Sequence, residues 1–336
     1  MADLKTTYMG LELKNPIVAG ATTLTCQMDT ISRLEEAGAA AIVTCSLFEE
    51  EIQLERFQMH EELELFDNVH PEMTDVFPEL EHAGPTEHLM WVRRAKESAS
   101  IPVIASVNCV NPETWVEYAK LTADTGVDGL ELNFYAAPSD VTRTGLAIED
   151  EQTQIVREVT EAVSIPVAVK LSPYYANPLN VVQRLSQAGA SGFVLFNRFF
   201  ETDIDVDEEK SIFPWNLSSR GDYGLALRFV GLLYGQVGDL CASSGIFEGE
   251  DVAKLILAGA DVVQVVSTLF VNGIDHLGQM LADLKTWMDA KGYETLEDAR
   301  GKLSHKHSKD PWSYTRAQYV RALMKPDPIE RKYRVI

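Results

Sequence analysis

Four times along this chain of 336 residues, a helix-like stretch ends at a glycine and is followed at once by a short apolar strand. Glycine suits the left-handed residue that commonly closes a helix. A second pattern, a turn leading into an apolar strand, alternates with the first. Together they predict eight strands, which contain Ile17, Ala41, Val103, Leu130, Val167, Phe193, Leu240 and Val262. We therefore predict an α/β fold, a (β/α)8 TIM barrel, because a doubly wound sheet has no reason to stop at eight strands.

We expect residues 1–336 to form a single barrel domain, with residues 292–336 as a C-terminal helical extension. Residues 4–13 alternate around a Met-Gly turn, which is typical of a β-hairpin, and we expect this hairpin to plug the bottom of the barrel. Aromatic and apolar residues at helical spacing predict one packing helix in the extension; they are Trp312, Tyr314, Tyr319 and Leu323.

Two long acidic segments interrupt the repeat, residues 47–85 after the second strand and residues 198–221 after the sixth. Both follow the carboxyl ends of strands, the face on which barrels build their active sites. Long loops on that face are usually lids, and we interpret these segments in that way. A solvated elaboration or a contact between subunits is the alternative.

The charge of the chain excludes several classes of partner. Lysine and arginine number 29 against 51 aspartate and glutamate residues, a net charge of −22, which opposes binding to nucleic acid or to an anionic membrane surface. The N-terminus lacks the apolar core of a signal peptide, and no apolar run is long enough to span a membrane. We expect a cytoplasmic protein that acts on a small molecule, and leave a homodimer open.

The four cysteines, Cys26, Cys45, Cys109 and Cys241, lie far apart and form no CxxC pair. Their spacing fits neither a disulfide framework nor a zinc site, so we expect reduced thiols and no metal. The first three follow strands one, two and three and could meet at one end of the barrel as a redox or metal cluster. Ordinary burial of cysteine is the simpler interpretation.

Lys170 ends the apolar run that begins at Ile165, although lysine is seldom buried without a partner. It either extends to the rim of the barrel or faces an anionic group. The carboxyl ends of all eight predicted strands carry polar or small residues, which should line the same mouth. They are Thr22, Thr23, Ser46, Ser106, Asn108, Asn133, Lys170, Ser172, Asn197, Ser243, Ser244, Gly245, Ser267 and Thr268.

The ends of strands seven and eight predict a phosphate site. Ser243, Ser244 and Gly245 follow one strand, and Ser267 and Thr268 follow the other. Small residues let a backbone approach an anion, and barrels commonly bind phosphate at this point. Each residue by itself could equally be a turn residue. As a group they indicate a phosphorylated ligand, with Lys170 as a fixed cation across the mouth.

Five segments resemble the dihydroorotate dehydrogenases, FMN-binding barrels, in the same order and spacing. They are Gly10 to Pro16, Leu130 to Asn133, Val169 to Tyr174, Asn197, and Ser244 to Thr268, in which Ser244 replaces the first glycine of a usual pair. The chain starts at the hairpin, without the N-terminal helical extension of the membrane-associated class. We therefore expect no access to a membrane quinone, and the chain as a whole resembles class 1 of the family.

The resemblance implies a flavin-dependent dehydrogenase of CH–CH groups in pyrimidine biosynthesis, with FMN as cofactor. Lys170 would hydrogen-bond the flavin ring near N1 and O2, where a cation stabilises the reduced ring. Asn133 and Asn197 would hold the flavin or the substrate. The remaining residues of the implied FMN site are Thr22, Ser46, Ser106, Ser243, Ser244, Gly245, Ser267 and Thr268.

The chain departs from the family pattern at the catalytic base. The family has a cysteine or serine after its fourth strand, whereas this chain has Ala136, which cannot take a proton. It also has Cys45 where the family has a lysine. Replacement bases are Tyr135, Cys45, Cys109 and Asp140, which the sequence does not rank. We expect absent or very slow turnover of dihydroorotate and leave the native substrate open.

Two other functions fit the same residues. A Schiff-base lyase could use Lys170 as a nucleophile, since a desolvated lysine at a barrel strand end can do that chemistry. A flavin-binding protein that has lost turnover is the second alternative, and the absence of the usual base favours it.

Overall fold

The computed structural model of the protein describes residues 2–49, 85–135, 140–198, 202–212 and 217–324. In chain order its strands are β1 Thr6–Tyr8, β2 Leu11–Leu13, β3 Ile17–Ala19, β4 Ala41–Val43, β5 Leu47–Phe48, β6 Val103–Asn108, β7 Gly129–Asn133, β8 Val167–Leu171, β9 Gly192–Leu195, β10 Asp203–Asp205, β11 Lys210–Ile212, β12 Asp239–Ser243 and β13 Val262–Val265.

Eight of these strands form a closed parallel barrel. Their order is β3, β4, β6, β7, β8, β9, β12 and β13, and β13 pairs back onto β3. The registers Val18↔Ala41 and Val43↔Ile104 carry the sheet across β4, so the barrel has no open edge there. The prediction of a (β/α)8 barrel with eight strands at these positions is confirmed.

Helices follow the barrel strands and surround them. They are α1 Met28–Glu36, α2 Pro85–Ser98, α3 Pro112–Ala123, α4 Gly145–Ala162, α5 Pro178–Gln187, α6 Gly224–Leu233, α7 Gly249–Ala258, α8 Ser267–Val271, α9 His276–Lys291 and α10 Ala317–Leu323. The glycine after α5, Gly189, has φ 110°. A Cβ there would lie 2.6 Å from Thr160 Oγ1, so both backbone angle and space require glycine at this helix end.

The predicted hairpin closes the bottom of the barrel. Strands β1 and β2 pair antiparallel, with Thr6 opposite Leu13, and Met9 at the turn donates its N–H to Asp239 Oδ2 over 2.6 Å. Asp239 begins β12, which fixes the turn at the amino ends of the barrel strands. Tyr8, Met9 and Leu13 pack with the inward-facing layer of the barrel, which includes Val18, Ala41, Val43, Ile104, Ala168, Val194, Cys241 and Val262.

Both insertions are described only in part. Of the first, the structure describes Leu47 to Glu49 and Pro85, and residues 50–84 lie outside the described residues. Strand β5 in this segment pairs with the end of β6. The second insertion contains the antiparallel pair β10 and β11, which is largely exposed.

The prediction of one packing helix in the C-terminal extension is wrong. A 3-10 turn, Pro311–Tyr314, and the short helix α10 are separated by Thr315, whose extended backbone (φ −112°, ψ 175°) interrupts the helical path. Tyr314 is buried, whereas Trp312 and Tyr319 are 60% and 65% exposed. The helix-like spacing of these aromatic residues therefore did not mark one buried face.

Within the described ranges, the structure contains no helix that has both the length and the apolar character needed to cross a membrane.

Candidate active site

Lys170 lies inside the barrel rather than on its rim. It lies two residues beyond the inward-facing Ala168 on β8, and therefore on the same face of the strand. It is only 6% exposed. Its Nζ lies 3.2 Å from Gln264 Oε1 and 3.7 Å from Glu131 Oε1. The rim alternative is thereby excluded, because the ammonium group ends among buried polar atoms.

Glu131 and Gln264 were not singled out in the sequence, although both occur in motifs quoted above. Glu131 is 1% exposed on β7, and Gln264 Nε2 donates to its Oε2. Among the described residues Glu131 Oε1 has no hydrogen-bond partner, and Lys170 forms its ion pair. An acidic residue within an otherwise apolar strand was the available signal, because buried charges in proteins are normally paired.

Two titratable groups deeper in the barrel remain neutral. Burial, and then the negative charge of Glu131, raise the pKa of the Cys241 thiol well above its usual value. Burial also raises the pKa of Tyr8, with Cys241 and Glu131 adding to it. Neither group is an acid or base for chemistry near neutral pH, which leaves Glu131 and Lys170 as the charged groups of this interior cluster.

Four predicted residues meet in one hydrogen-bonded chain at the mouth. Asn197 Nδ2 donates to Asn133 Oδ1 over 2.6 Å, and Asn133 Nδ2 donates to Ser46 Oγ over 3.4 Å. Ser46 Oγ and Ser106 Oγ are 2.7 Å apart. The chain connects the carboxyl ends of β4, β6, β7 and β9, and it presents amide and hydroxyl groups across half of the mouth.

Asn108 adds a donor that is not satisfied in the described part of the protein. On β6 it shares one face of the strand with Ile104 and Ser106, and Ile104 belongs to the inward-facing layer of the barrel. Asn108 is 5% exposed, and its Nδ2 is buried without a hydrogen-bond partner. Because a buried unsatisfied donor costs about 1–3 kcal/mol, such a group in a mouth indicates that a ligand accepts from it.

The predicted phosphate site contains one residue that the sequence analysis missed. Ser218 Oγ accepts from the N–H of Gly245 over 3.0 Å and lies 2.7 Å from Ser267 Oγ. A Cβ on Gly245 would lie 2.6 Å from the backbone nitrogen of Asp222 and 2.7 Å from the carbonyl of Ser219. The end of the second insertion therefore forms one wall of a cradle that only glycine allows at residue 245.

The other predicted residues of this region have structural partners. Ser244 adopts φ 77° and donates its hydroxyl to the carbonyl of Phe196 over 3.1 Å. Ser243 is buried at the end of β12, and Thr268 Oγ1 lies 3.4 Å from the carbonyl of Phe247. Thr22 is half-buried after β3, where its backbone bonds Thr25.

The expectation of reduced thiols is wrong for two cysteines. Cys26 and Cys45 form a disulfide, with Cα atoms 5.4 Å apart. The two loops that follow β3 and β4 approach each other closely, which their separation of 19 residues in sequence does not reveal. Cys45 therefore has no ionisable thiol in this structure, and a base at that position is excluded here. Cys109 and Cys241 are buried outside the disulfide.

The remaining candidate bases differ in exposure. Tyr135 is half-buried two residues beyond β7, and its N–H donates to the carbonyl of Asn133 over 2.9 Å. Asp140 is exposed, and hydrogen bonds from Thr142 lower its pKa. Ala136 lies outside the described residues.

The protein is a closed (β/α)8 barrel whose polar groups gather at the carboxyl ends of the strands. Fold and site together define the class of protein: a barrel that binds its ligand at that mouth. A family profile described as dihydroorotate dehydrogenase matches residues 81–288, which is more than half of the chain. The chain belongs to the dihydroorotate dehydrogenase family. Proteins of this family are flavin-dependent oxidoreductases of CH–CH groups in pyrimidine biosynthesis, and they bind FMN.

Two of the similar curated proteins cover nine-tenths of the chain, and a third covers two-thirds. The catalytic subunit of dihydroorotate dehydrogenase B (NAD(+)) from Thermoplasma volcanium is 29% identical over 310 residues, 90% of this chain and 98% of that protein. Its counterpart from Thermoplasma acidophilum is 28% identical over 308 residues, 90% and 99% of the two chains. A putative dihydroorotate dehydrogenase A (fumarate) from Aeropyrum pernix is 30% identical over 229 residues, 66% and 74% of the two chains.

Proposed function

We propose that residues 1–336 form an FMN-binding barrel domain, with residues 292–336 as an extension, that oxidises a small molecule at a CH–CH group. The observation that supports this most strongly is the buried cation Lys170, held by Glu131 and Gln264 inside the barrel. When bound, FMN would supply the acceptor for the hydride that leaves the substrate. A cytoplasmic enzyme is consistent with the net charge of −22.

The side chains present fit FMN at both ends of the molecule. Lys170 would stabilise negative charge on the flavin ring, because a fixed cation in a water-excluded site acts more strongly than one in water. The unsatisfied Asn108 Nδ2 supplies a donor for an acceptor atom of the ring or of the substrate. Gly245, Ser218 and Ser267 carry a backbone N–H and two hydroxyls, which bond one another in the structure and would exchange these partners for the oxygens of a phosphate group.

Asn133 and Asn197 would orient the substrate or the ring edge. Each amide has both a donor and an acceptor, and their mutual hydrogen bond fixes which end of each faces the mouth. The chain of bonds through Ser46 and Ser106 then holds both side chains in one arrangement. Such fixed orientation contributes to rate by positioning reacting groups before reaction.

We infer that the substrate differs from dihydroorotate. By the resemblance, Ala136 stands where the family has its base; Cys45 lies in a disulfide, and the exposed Asp140 is a weak base because its pKa is lowered. Loss of general-base assistance typically costs about two to four powers of ten in rate. Tyr135 is the side chain in the described region that we propose as a substitute.

Dihydroorotate oxidation by the FMN-loaded protein should therefore be absent or slow, below about 1 per second. Stopped-flow absorbance of the flavin after mixing with dihydroorotate measures this rate directly. A faster rate would show that a base for this substrate is present, and Tyr135→Phe would then be the first variant to assay.

A flavin-binding protein without turnover remains the second candidate, favoured by Ala136 and by the disulfide at Cys45. The Schiff-base alternative is less consistent with the contacts of Lys170, because its Nζ lies against Glu131 and Gln264 and a covalent bond to a substrate would have to displace these partners.

Titration of the purified protein with FMN, followed by visible absorbance and by quenching of flavin fluorescence, tests the proposed function. Wild type should bind FMN, and Gly245→Asp should not, since a side chain there meets Asp222 and Ser219 and adds a charge that repels phosphate. Gly145→Asp is the matched control, because a Cβ at Gly145 meets no atom of the described residues within 4 Å. Failure of wild type to bind FMN would refute the flavin assignment.

A further inference from the structure

The Cys26–Cys45 disulfide lies beside the candidate site. Cys26 ends the 3-10 turn Thr23–Cys26 that follows β3, and Cys45 lies two residues beyond the end of β4. The next residue, Ser46, carries the hydroxyl that bonds Ser106 and accepts from Asn133. The disulfide is thus one residue away from the hydrogen-bonded chain that lines half of the mouth.

The exposure of the cysteines separates this pair from the other two. Cys26 and Cys45 are both partly exposed, whereas Cys109 and Cys241 are buried at 7% and 0% exposure. Both cysteines follow a buried threonine, Thr25 or Thr44, but Cys26 is followed by the exposed Gln27 and Cys45 by the half-buried Ser46. A thiolate from solution therefore has its more open approach at Cys26, and Cys45 is the leaving group.

We propose that Cys26 and Cys45 form a thiol–disulfide exchange site, through which a dithiol reductant switches the mouth between two covalent states. One thiolate of the dithiol attacks Sγ of Cys26, the Cys26–Cys45 bond breaks, and Cys45 leaves as a thiolate. The second thiol of the reductant then attacks the mixed disulfide and releases Cys26. The dithiol gives up two electrons and becomes a disulfide, and its two protons pass to the two cysteines.

Reduction has two consequences for the mouth. It unties the turn Thr23–Cys26 from the end of β4, and it places a thiol at residue 45, immediately before Ser46. The effect on catalysis rests on the proposed function: the oxidised state has no ionisable group at residue 45, and the reduced state has one. The exchange reaction itself does not depend on flavin.

Alkylation of the native protein tests the site: it is treated with dithiothreitol in the dark, quenched with iodoacetamide and mapped by peptide mass spectrometry. Before reduction none of the four cysteines should be labelled, and after reduction Cys26 and Cys45 should be. Adding oxidised dithiothreitol should restore the unlabelled state. Hydrogen exchange should rise in residues 22–27 and 44–46 and stay unchanged in the helix Gly249–Ala258. A pair that is alkylated only after denaturant is added would be structural, and alkylation without any reductant would show that the disulfide is absent; either result overturns the proposal.

Two variants test which sulfur is attacked. Cys45→Ser leaves Cys26 as an accessible thiol that should form a mixed disulfide with oxidised glutathione faster than Cys45 does in Cys26→Ser. Equal or reversed rates would contradict the assignment of Cys26 as the attacked residue. FMN titration of both redox states separates the two proposals: exchange without flavin binding refutes only the proposed function, and flavin binding with an inert disulfide refutes only the exchange site.

Discussion

At the scale of single residues, the interior cluster of Lys170, Glu131 and Gln264 determines what the mouth can bind. Glu131 balances the charge of Lys170, so that a cation can remain where Lys170 is 6% exposed. Gln264 donates to the carboxylate and accepts from the ammonium group, which fixes the geometry of both. Removing one member leaves the charge of the other uncompensated in a buried place.

Lys170→Met should therefore destabilise the protein by about 3–5 kcal/mol, because Glu131 remains buried without its cation. Adding Glu131→Gln to that variant should recover most of the loss. Urea denaturation followed by circular dichroism gives the free energy of unfolding. Lys120→Met, at an exposed position on the helix Pro112–Ala123, is the control and should change it by no more than about 0.5 kcal/mol. If the single Lys170 variant is as stable as the control, the ion pair is not formed.

At the scale of elements, the repeated patterns of the sequence were sufficient for the barrel. A helix end at glycine followed by an apolar strand predicts four of the barrel strands, a turn leading into an apolar strand predicts the other four, and alternation around a Met-Gly turn predicts the hairpin; all are present. The disulfide, Ser218 and the role of Glu131 were not predictable in this way. Each depends on a contact between segments far apart in sequence, such as Glu131 and Gln264, which are separated by 133 residues.

The C-terminal segment docks through a contact of this long-range kind. Tyr314 lies directly over Gly231 of α6, and its hydroxyl donates to the carbonyl of Leu303. Arg228 Nη1 donates to the carbonyl of Tyr314 over 3.0 Å. The absence of a side chain at Gly231 is what allows the ring to lie against the helix.

Gly231→Ala should destabilise the protein by about 1–3 kcal/mol, because the added Cβ overlaps the ring of Tyr314. Limited proteolysis should then cut the chain sooner after residue 303, and the thermal midpoint should fall. Gly224→Ala, in the same helix and with no atom of the described chain within 4 Å of its Cβ, should have no such effect. Equal proteolysis of the two variants would show that the Tyr314 contact does not hold the segment.

At the scale of the whole molecule, Asp261 and Arg300 link three parts of the chain at the bottom of the barrel. These parts are the hairpin, the barrel strands and the C-terminal segment. Arg300 Nη1 lies 2.7 Å from Asp261 Oδ1, and its Nη2 donates to Thr6 Oγ1 over 2.7 Å. Asp261 Oδ2 accepts from the N–H of Leu240 over 2.7 Å. Burial nonetheless raises the pKa of Asp261 to about 6, against an opposing effect of Arg300.

Because the pKa of Asp261 is raised in the folded state, its contribution to stability is fully present below its ordinary value of 3.8 and is lost as the pH rises through about 6. Carboxyl carbon chemical shifts should give a midpoint near 6 for this residue. Denaturation curves of wild type and Asp261→Asn at pH 4 and pH 7 give the free energy of unfolding of each protein. The difference between the two proteins is the part of the pH dependence that comes from Asp261. A midpoint close to 3.8 would mean that the site is more hydrated than the structure indicates.

The measurement that tests the central claim most directly is the reduction potential of bound FMN, by dye-linked titration, in two variants that differ only at Lys170. If Lys170 faces the flavin ring, the potential of Lys170→Met/Glu131→Gln should lie below that of Glu131→Gln, because the cation favours the anionic reduced ring. Loss of one hydrogen bond to a charged group is worth about 1.5–3 kcal/mol, or about 30–60 mV for two electrons. Equal potentials in two folded, flavin-loaded proteins would remove Lys170 from the flavin site and contradict the account.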